Sequence, residues 1–319
     1  MSSLAAPPAS PLDAPGARYA AALAAPRVFV VGPGRAGLGL ARAVLAAGGT
    51  VTGVHGRRAR DVGVPIGQVT AGSLPAAALA EATVVFVAVQ DRELEAALAA
   101  LIDAPLPREA VVLQASGSAM PAAFDALRQR GIACGTFHPL VPLAAPEHAP
   151  ALLRGAWVGL AGDDRALGPA RALATLVRAH VLRIPAGGQA LYHAAAVFAS
   201  NFPVVLAALA ERLLREAGVA REEARPAVRH LLSSAAANLQ RGDDAALTLT
   251  GPVVRGDVGT VQRHLEALAG APALGDVRAV YAALAHATLD VARAADVDEA
   301  ALHAIAALLA AAAEPSSPS

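Results

Sequence analysis

The chain has 319 residues, of which 55% are hydrophobic and 16% charged, and its 26 Lys plus Arg balance its 26 Asp plus Glu. This length fits two ordinary domains, and the alanine-rich apolar share is typical of a helix-rich globular protein. Without a basic excess, and with only 3% aromatic residues, the composition argues against binding to nucleic acid or to anionic membranes.

Both ends of the sequence are expected to be disordered tails. Residues 1–26 are rich in Ala, Pro and Ser and lack the basic region and uninterrupted apolar core of a secretory signal. Residues 314–319 have a similar composition. Cys134 is the single cysteine, so an internal disulfide is impossible and a reducing, cytoplasmic location is predicted. The thiol lies in a predicted strand, which favours a buried structural role over a nucleophilic one.

The N-terminal part of the chain alternates strand and helix patterns. Short runs rich in β-branched residues predict strands, and stretches of helical periodicity separate them. The predicted strands are 27–31, 51–54, 83–89, 111–114, 132–137, 157–160 and 181–184. The predicted helices are 38–47, 74–81, 93–102, 122–130 and 169–179. This alternation predicts an α/β fold with a doubly wound Rossmann sheet.

Beyond Pro185-Ala-Gly-Gly188 the sequence has only helical periodicity. The predicted helices are 189–217, 221–240, 258–268, 273–295 and 299–312. We therefore predict a Rossmann dinucleotide-binding domain over residues 27–185 and an all-helical domain over residues 186–313.

Residues 184–210 contain no Asp, Glu, Lys or Arg and are long enough to span a bilayer. Polar residues and a central proline, Pro203, interrupt this segment, however, and no basic cluster flanks it. We expect a helix that is buried by its own domain or by the second subunit of a homodimer, and no membrane insertion.

A glycine-rich motif, Gly32-Pro-Gly-Arg-Ala-Gly37, follows the first predicted strand and opens a helix. In this context Gly32 is expected to make a tight turn, Gly34 to let the backbone approach a pyrophosphate, and Gly37 to let helix and sheet pack closely. A purely structural glycine turn is the alternative. The second strand ends in His55-Gly-Arg-Arg58, without the acidic residue that holds the ribose of NAD.

Two arginines at this position favour NADP(H) as the cofactor, because guanidinium groups can bind a 2′-phosphate. A solvated basic loop is the alternative. The residues predicted to bind the cofactor are Gly32, Pro33, Gly34, Arg35, Ala36, Gly37, His55, Arg57, Arg58, Val89 and Gln90.

Three polar positions are expected to meet at the carboxyl edge of the sheet. Ser116 follows one strand, His138 follows the next, and His193 lies on the first helix of the second domain. Reduction of a carbonyl needs a proton donor, and histidine is the usual one near neutral pH. We therefore predict that His138 is the donor, with Ser116 orienting it. A packing role for His193 stays open.

Further along, Arg255 is a candidate to bind a substrate carboxylate through its two-pronged guanidinium group, and Asn201 is a candidate to face the same cleft. A plainer alternative is that Asp257 caps the following helix and Arg255 is its ion-pair partner. No metal site is predicted.

The combined motifs resemble the Rossmann-like oxidoreductases with a 6-phosphogluconate-dehydrogenase-like helical C-terminal domain, a domain of unknown function. Some members resemble an alternative ketopantoate reductase. The resemblance covers Arg27 to Ala312 and rests on the segments 30–37, 87–91, 116–117, 137–140, 192–201 and 251–257. A more distant similarity to prephenate dehydrogenases implies that Ser116 orients His138, that His193 contacts the substrate and that Arg255 holds a carboxylate. In those enzymes a different run follows the His-Pro pair, where this chain has Leu140-Val-Pro142.

We therefore predict a cytoplasmic, homodimeric NADP-dependent oxidoreductase that reduces a small keto acid such as ketopantoate. One alternative is a cyclic imine reductase of the pyrroline-5-carboxylate type. The other is a nucleotide-binding protein without turnover.

Overall fold

The structure is a computed structural model that describes residues 25–117, 122–241, 248–294 and 297–313. The chain divides into two compact units, Met1–Ser200 and Asn201–Ser319. The division falls inside one long helix, after the predicted linker at residues 185–188.

The first unit is built on a seven-stranded sheet in its described residues, with strand order β2-β1-β5-β6-β7-β8-β9. All neighbouring strands are parallel except β7 and β8, which are antiparallel. The short strands β3 and β4 form a separate hairpin. The bounds are β1 Arg27–Val31, β2 Thr50–His55, β3 Arg60–Asp61, β4 Gln68–Val69, β5 Val84–Val87, β6 Val111–Gln114, β7 Ala133–Pro139, β8 Trp157–Gly162 and β9 His180–Arg183.

Apolar side chains cover both faces of this sheet. Along β1, Val28 and Val30 belong to one buried cluster, whereas Phe29 and Val31 belong to another. Because successive side chains of a strand point to opposite faces, the uninterrupted apolar run is that of a strand buried on both sides. This arrangement confirms the predicted doubly wound sheet.

Helices pack on the two faces of the sheet. Their bounds are α1 Arg35–Ala46, α2 Ala76–Ala80, α3 Asp91–Ala99, α4 Ala123–Gln129, α5 Ala149–Leu153 and α6 Asp164–Leu176. Helix α6 begins five residues before the predicted start at Pro169, which lies inside it. Helix α5 and the β3–β4 hairpin were not predicted from the sequence, because such short elements show no hydrophobic periodicity.

A carboxylate fixes the start of β7, the strand that carries His138 near its end. Asp163 accepts a hydrogen bond of 2.8 Å from the backbone N–H of Cys134 and two of 3.1 Å from Nε of Arg128. Cys134 is fully buried, and burial, followed by the charge of Asp163, raises the pKa of its thiol to about 12. The thiol is therefore protonated at neutral pH, as expected for a structural cysteine.

The second unit is helical throughout its described residues, as predicted. The helices are α7 Gln189–Glu216, which begins in the first unit, α8 Arg221–Arg241, α9 Val258–Ala269, α10 Gly275–Ala294 and α11 Glu299–Ala313. A buried cluster that includes Val261, Leu289, Leu302 and Ile305 joins α9, α10 and α11.

Helix α7 is not buried by its own chain. Among the described residues it is the one helix long and apolar enough to cross a membrane, with a mean hydropathy of 1.6 in its most apolar window, and none of that window is buried. Leu191 is 80% exposed and Val204 is 69% exposed. The expectation that the helical domain itself would bury this segment is therefore wrong.

Candidate functional site

The loop between β1 and α1 is shaped by two glycines that no other residue could replace without movement. Gly32 has a φ of +103°, and a β-carbon there would collide with the carbonyl oxygen of Ala88 after β5. A β-carbon on Gly37 would collide with the carbonyl oxygen of Gly32. The loop is therefore held against both the sheet and its own helix.

Gly34 differs from these two glycines. Its φ is −82°, which any residue can adopt, and a β-carbon there would meet no atom closer than the Ala88 oxygen at 4.0 Å. Neither the backbone conformation nor protein packing therefore requires a glycine at this position. The exposed main chain of Gly34, at the start of α1, leaves space where a ligand can approach the backbone closely.

The start of α1 carries no competing negative charge. Its first turn has no acidic residue, and Gly34, its N-cap, supplies no side-chain hydrogen bond. Backbone N–H groups at such a helix end, together with the helix dipole, favour an anion. Arg35 is exposed and Ala36 is half-buried at this end.

His55 has a structural role in the free protein. Its side chain is 8% exposed, and Nδ1 lies 2.9 Å from the hydroxyl of Thr70. Burial lowers the pKa of the ring. Its backbone carbonyl accepts a 2.8 Å hydrogen bond from the N–H of Gly32, which ties the end of β2 to the glycine loop.

The basic residues after β2 lie in different surroundings. Arg57 pairs with Glu93 of α3 at 2.8 Å. Arg58 is exposed and makes no ion pair with the described residues. Arg60 donates a 2.8 Å hydrogen bond to the carbonyl of Pro33 in the glycine loop. Arg60 was not predicted from the sequence, because only the β3–β4 hairpin turns it back onto that loop.

The chain after β5 borders the same loop. A methyl carbon of Val89 would lie 3.0 Å from a β-carbon on Gly32, so Val89 packs against the turn. Gln90 is exposed and is the N-cap of α3. Both residues thus lie at the carboxyl edge beside β1, where strand order reverses and where α/β sheets usually bind ligands.

Two histidines converge on Gly117, three residues beyond the end of β6 at Gln114. A β-carbon on Gly117 would lie 3.1 Å from Nδ1 of His138 and 3.1 Å from Nδ1 of His193. The two ring centroids are 5.8 Å apart. The structure thus brings together the two histidines that the sequence analysis selected, and Ser116 is the neighbour of Gly117 in the chain.

Tyr192 is a member of this cluster that the sequence analysis did not select. Its hydroxyl oxygen lies 2.8 Å from Nδ1 of His138 and 3.1 Å from the backbone carbonyl oxygen of the same residue. The predicted orienting role of Ser116 stays a prediction, but the contact that Tyr192 makes with His138 is direct. Tyr192 and His193 are adjacent in α7, so one helical turn contributes both side chains to the cluster around Gly117.

Burial controls the charge of these groups. It lowers the pKa of His138 to about 4, with a smaller contribution from His193. It also raises the pKa of Tyr192 to about 12. At neutral pH His138 is thus a neutral imidazole and Tyr192 a neutral phenol. Nδ1 of His193 is buried and has no hydrogen-bond partner among the described residues.

The remaining predicted residues belong to the second unit. Asn201 and Arg255 are both exposed. Asp257 caps α9, accepting a 3.0 Å hydrogen bond from the N–H of Thr260, which agrees with the plainer interpretation of that residue. Arg255 contributes to the lowered pKa of Asp257, after the hydrogen bonds from Thr260. In the described residues no group of three or more His, Cys, Asp or Glu could hold a metal ion.

Comparisons with known proteins agree with this architecture. Residues 156–288 match the family model described as "Domain of unknown function (DUF2520)". That match agrees with the resemblance inferred from the motifs, over less than half of the chain. Among curated proteins none matches this sequence.

Three solved structures share the fold. Protein TM1727 from Thermotoga maritima has a TM-score of 0.60 and 23% identity, with 84% of this chain and 99% of that chain covered. A Bacteroides fragilis protein, described only provisionally as an NADP oxidoreductase, has a TM-score of 0.58 and 20% identity, with 78% and 93% covered. Plasmodium falciparum pyrroline carboxylate reductase with NADP bound has a TM-score of 0.55 and 10% identity, with 89% and 98% covered.

The neutral state of His138 predicts a pH dependence of stability. A histidine that ionises near 6.5 when unfolded and at about 4 when folded takes up protons preferentially in the unfolded chain between those values. Stability should therefore be full above about pH 6.5 and fall as the pH drops toward 4. Replacement of His138 by Gln should remove roughly 2 kcal/mol of the loss between pH 7 and pH 5.

Urea denaturation of the parent and of His138→Gln at both pH values measures this difference. His303→Gln, at an exposed histidine of α11, is the matched control and should leave the loss unchanged. An equal loss in the parent and His138→Gln would contradict the prediction.

Proposed function

We propose that the protein is an NADP-dependent oxidoreductase acting on a small carboxylate-bearing substrate. The observation that carries this proposal is the open space at Gly34, an exposed glycine that the protein itself does not require. It lies at the carboxyl edge of the sheet, as do the ends of β6 and β7 with His138. Nicotinamide cofactors supply or accept a hydride at such an edge.

The residues present fit this cofactor. The main chain of Gly34 and the free amides of α1 would hold the pyrophosphate. Arg58, and Arg57 on release from Glu93, would hold the 2′-phosphate. The provisional description of the Bacteroides fragilis protein as an NADP oxidoreductase and the NADP bound to the Plasmodium falciparum enzyme support the same cofactor.

The histidine cluster supports catalysis over nucleotide binding alone. A protein that only senses a nucleotide has no need of two histidine rings and a phenol packed around one glycine beside the cofactor loop. His138 would contact the reacting atom of the substrate, and Arg255 would bind its carboxylate. A small keto acid such as ketopantoate is one candidate substrate.

A cyclic imine is the second candidate substrate. It is favoured by the neutral state of His138, because a protonated imine needs no proton from the enzyme when it is reduced. The similarity in fold to a pyrroline carboxylate reductase is compatible with this candidate. The lone buried Cys134 fits a reducing, cytoplasmic location.

Cofactor binding tests the proposal directly. Gly34→Ala should fold normally but weaken NADPH and NADH alike, since both carry the pyrophosphate. Arg57→Ala combined with Arg58→Ala should weaken NADPH about tenfold or more and change NADH little, because only NADPH carries the 2′-phosphate. Dissociation constants from isothermal titration calorimetry measure both effects. Tighter binding of NADH than of NADPH to the parent protein would overturn the assignment to NADP.

Kinetic variants separate the two substrate contacts. After a panel of keto acids and cyclic imines has identified a substrate by NADPH oxidation, His138→Ala should lower kcat by about 10²–10⁴-fold. Arg255→Ala should mainly raise KM, because it removes binding that is equal in the ground and transition states.

His193→Gln tests which of the two histidines acts in catalysis. If the loss of kcat follows His193 instead, the roles of the two rings are exchanged, and if all three variants turn over like the parent, these residues are structural.

We also propose that the exposed apolar face of α7 is covered by a second copy of the chain. Leu191 and Val204 on this helix and Leu231 on α8 are each more than two-thirds exposed. Apolar surface of this extent on a protein of near-zero net charge is typical of an association site. Closed two-fold dimers are the commonest way to cover such a surface.

Light scattering on detergent-free protein should give the mass of a dimer. Val204→Asp should shift the mass toward that of a monomer, because a carboxylate would be buried without a partner at the interface. Val64→Asp, at an exposed valine of the first unit, should leave the mass unchanged. A stable monomer in the parent protein would rule out the dimer, and a requirement for detergent would point to lipid instead.

A further inference from the structure

The hydroxyl of Tyr192 contacts two atoms of one residue, and their chemistry restricts where the protons lie. It is 3.1 Å from the backbone carbonyl oxygen of His138 and 2.8 Å from Nδ1 of the same residue. A carbonyl oxygen can only accept a hydrogen bond, and a phenol has one proton. If the phenol donates to the carbonyl, then Nδ1 must carry a proton and donate it to the phenol oxygen.

We infer that Tyr192 is a positioning residue that holds neutral His138 with its proton on Nδ1. Nε2 is then left with a lone pair that accepts a hydrogen bond from the substrate. This inference deepens the proposed function and rests on it for the identity of the substrate. This tautomer favours a substrate whose reacting group has an N–H or O–H that can donate to Nε2, such as a protonated imine or an alcohol.

The phenol of Tyr192 packs against the backbone of Gly159 in β8. A β-carbon on Gly159 would collide with the hydroxyl oxygen and with the ring carbon that carries it, so only glycine at this position leaves room for Tyr192. In this arrangement the phenol oxygen accepts a hydrogen bond from Nδ1 of His138 and donates its own proton to the carbonyl oxygen.

Two features of its surroundings favour the neutral form of His138 in this arrangement. The ring is partly buried against Tyr192, with an edge-to-face angle of 83° and centroids 5.4 Å apart. The other titratable side chain facing it is His193, also on α7, whose charge would oppose a proton on His138. A doubly protonated ring would therefore be disfavoured by desolvation and by its neighbour.

The tautomer decides which substrates suit the site. Reduction of a neutral ketone adds a hydride to carbon and leaves an alkoxide that must receive a proton, which a lone pair on Nε2 cannot give. A protonated imine already has its N–H, and on addition of hydride from NADPH to carbon the π electron pair becomes the amine lone pair, so no proton moves. In the reverse sense, an alcohol that loses hydride to NADP⁺ can pass its O–H proton to Nε2.

The ring nitrogens of His138 report the tautomer without cofactor or substrate. In long-range ¹H–¹⁵N spectra of the full ¹⁵N-labelled chain at pH 7, the His138 signals are those missing from His138→Gln. We expect a protonated Nδ1 and an unprotonated Nε2. A protonated Nε2 of His138 in the parent protein would overturn the inference.

Variants test whether Tyr192 is the cause. Tyr192→Phe removes the hydroxyl, and Gly159→Ala displaces it while keeping the tyrosine. In both variants the two nitrogen signals should move toward those of a mixture of tautomers. Tyr281→Phe is the matched control, because Tyr281 contacts Nδ1 of His264 at 3.0 Å in the second unit. Unchanged His138 signals in a folded Tyr192→Phe protein would overturn the role of Tyr192.

Turnover provides the second readout. With NADPH, the parent should show a higher kcat/KM for a cyclic imino acid than for keto acids. Tyr192→Phe should reduce the ratio of these two values by about tenfold, because a ring protonated on Nε2 no longer accepts a hydrogen bond from the imine N–H. A preference for keto acids would overturn the inferred substrate class. Failure to bind NADPH at all would instead contradict the proposed function while the measured tautomer stands, so the two failures are distinguishable.

Discussion

Close approach at four glycines sets the geometry of the carboxyl edge of the sheet. At Gly32 and Gly37 the missing side chains let the first loop pack against Ala88 and against its own helix. At Gly117 and Gly159 they leave the volume that two histidine rings and a phenol occupy. Each of these contacts requires a residue without a β-carbon. A larger residue would displace the elements that the site joins.

The sequence was most informative where its pattern was local. The alternation of Val28, Phe29, Val30 and Val31 between the two faces of a sheet follows from period alone, and it led to the correct fold class. The glycine loop was recognisable because its strand and helix adjoin it directly. His138 and His193 could be selected because histidine at a strand end or on a helix near a cofactor loop is informative by residue type.

What the sequence could not reveal depends on contacts between distant segments. Tyr192 is 54 residues from His138, and a tyrosine on an apolar helix has the composition of an ordinary core residue. Arg60 reaches the glycine loop only because the short β3–β4 hairpin turns the chain back. The ion pair of Arg57 with Glu93 likewise spans two elements. The sequence also could not decide between the helical domain and a second subunit as the cover of α7, because an apolar sequence does not specify which surface covers it.

The strand that carries His138 also carries the only thiol of the chain. Cys134 is fully buried in β7, and its pKa of about 12 leaves almost no thiolate in the folded state. A thiol-directed reagent can therefore react only in molecules in which this strand has separated from its neighbours. The rate of modification under native conditions thus measures the free energy of opening at the centre of the sheet, and the protein contains an internal probe of how firmly its histidine is held.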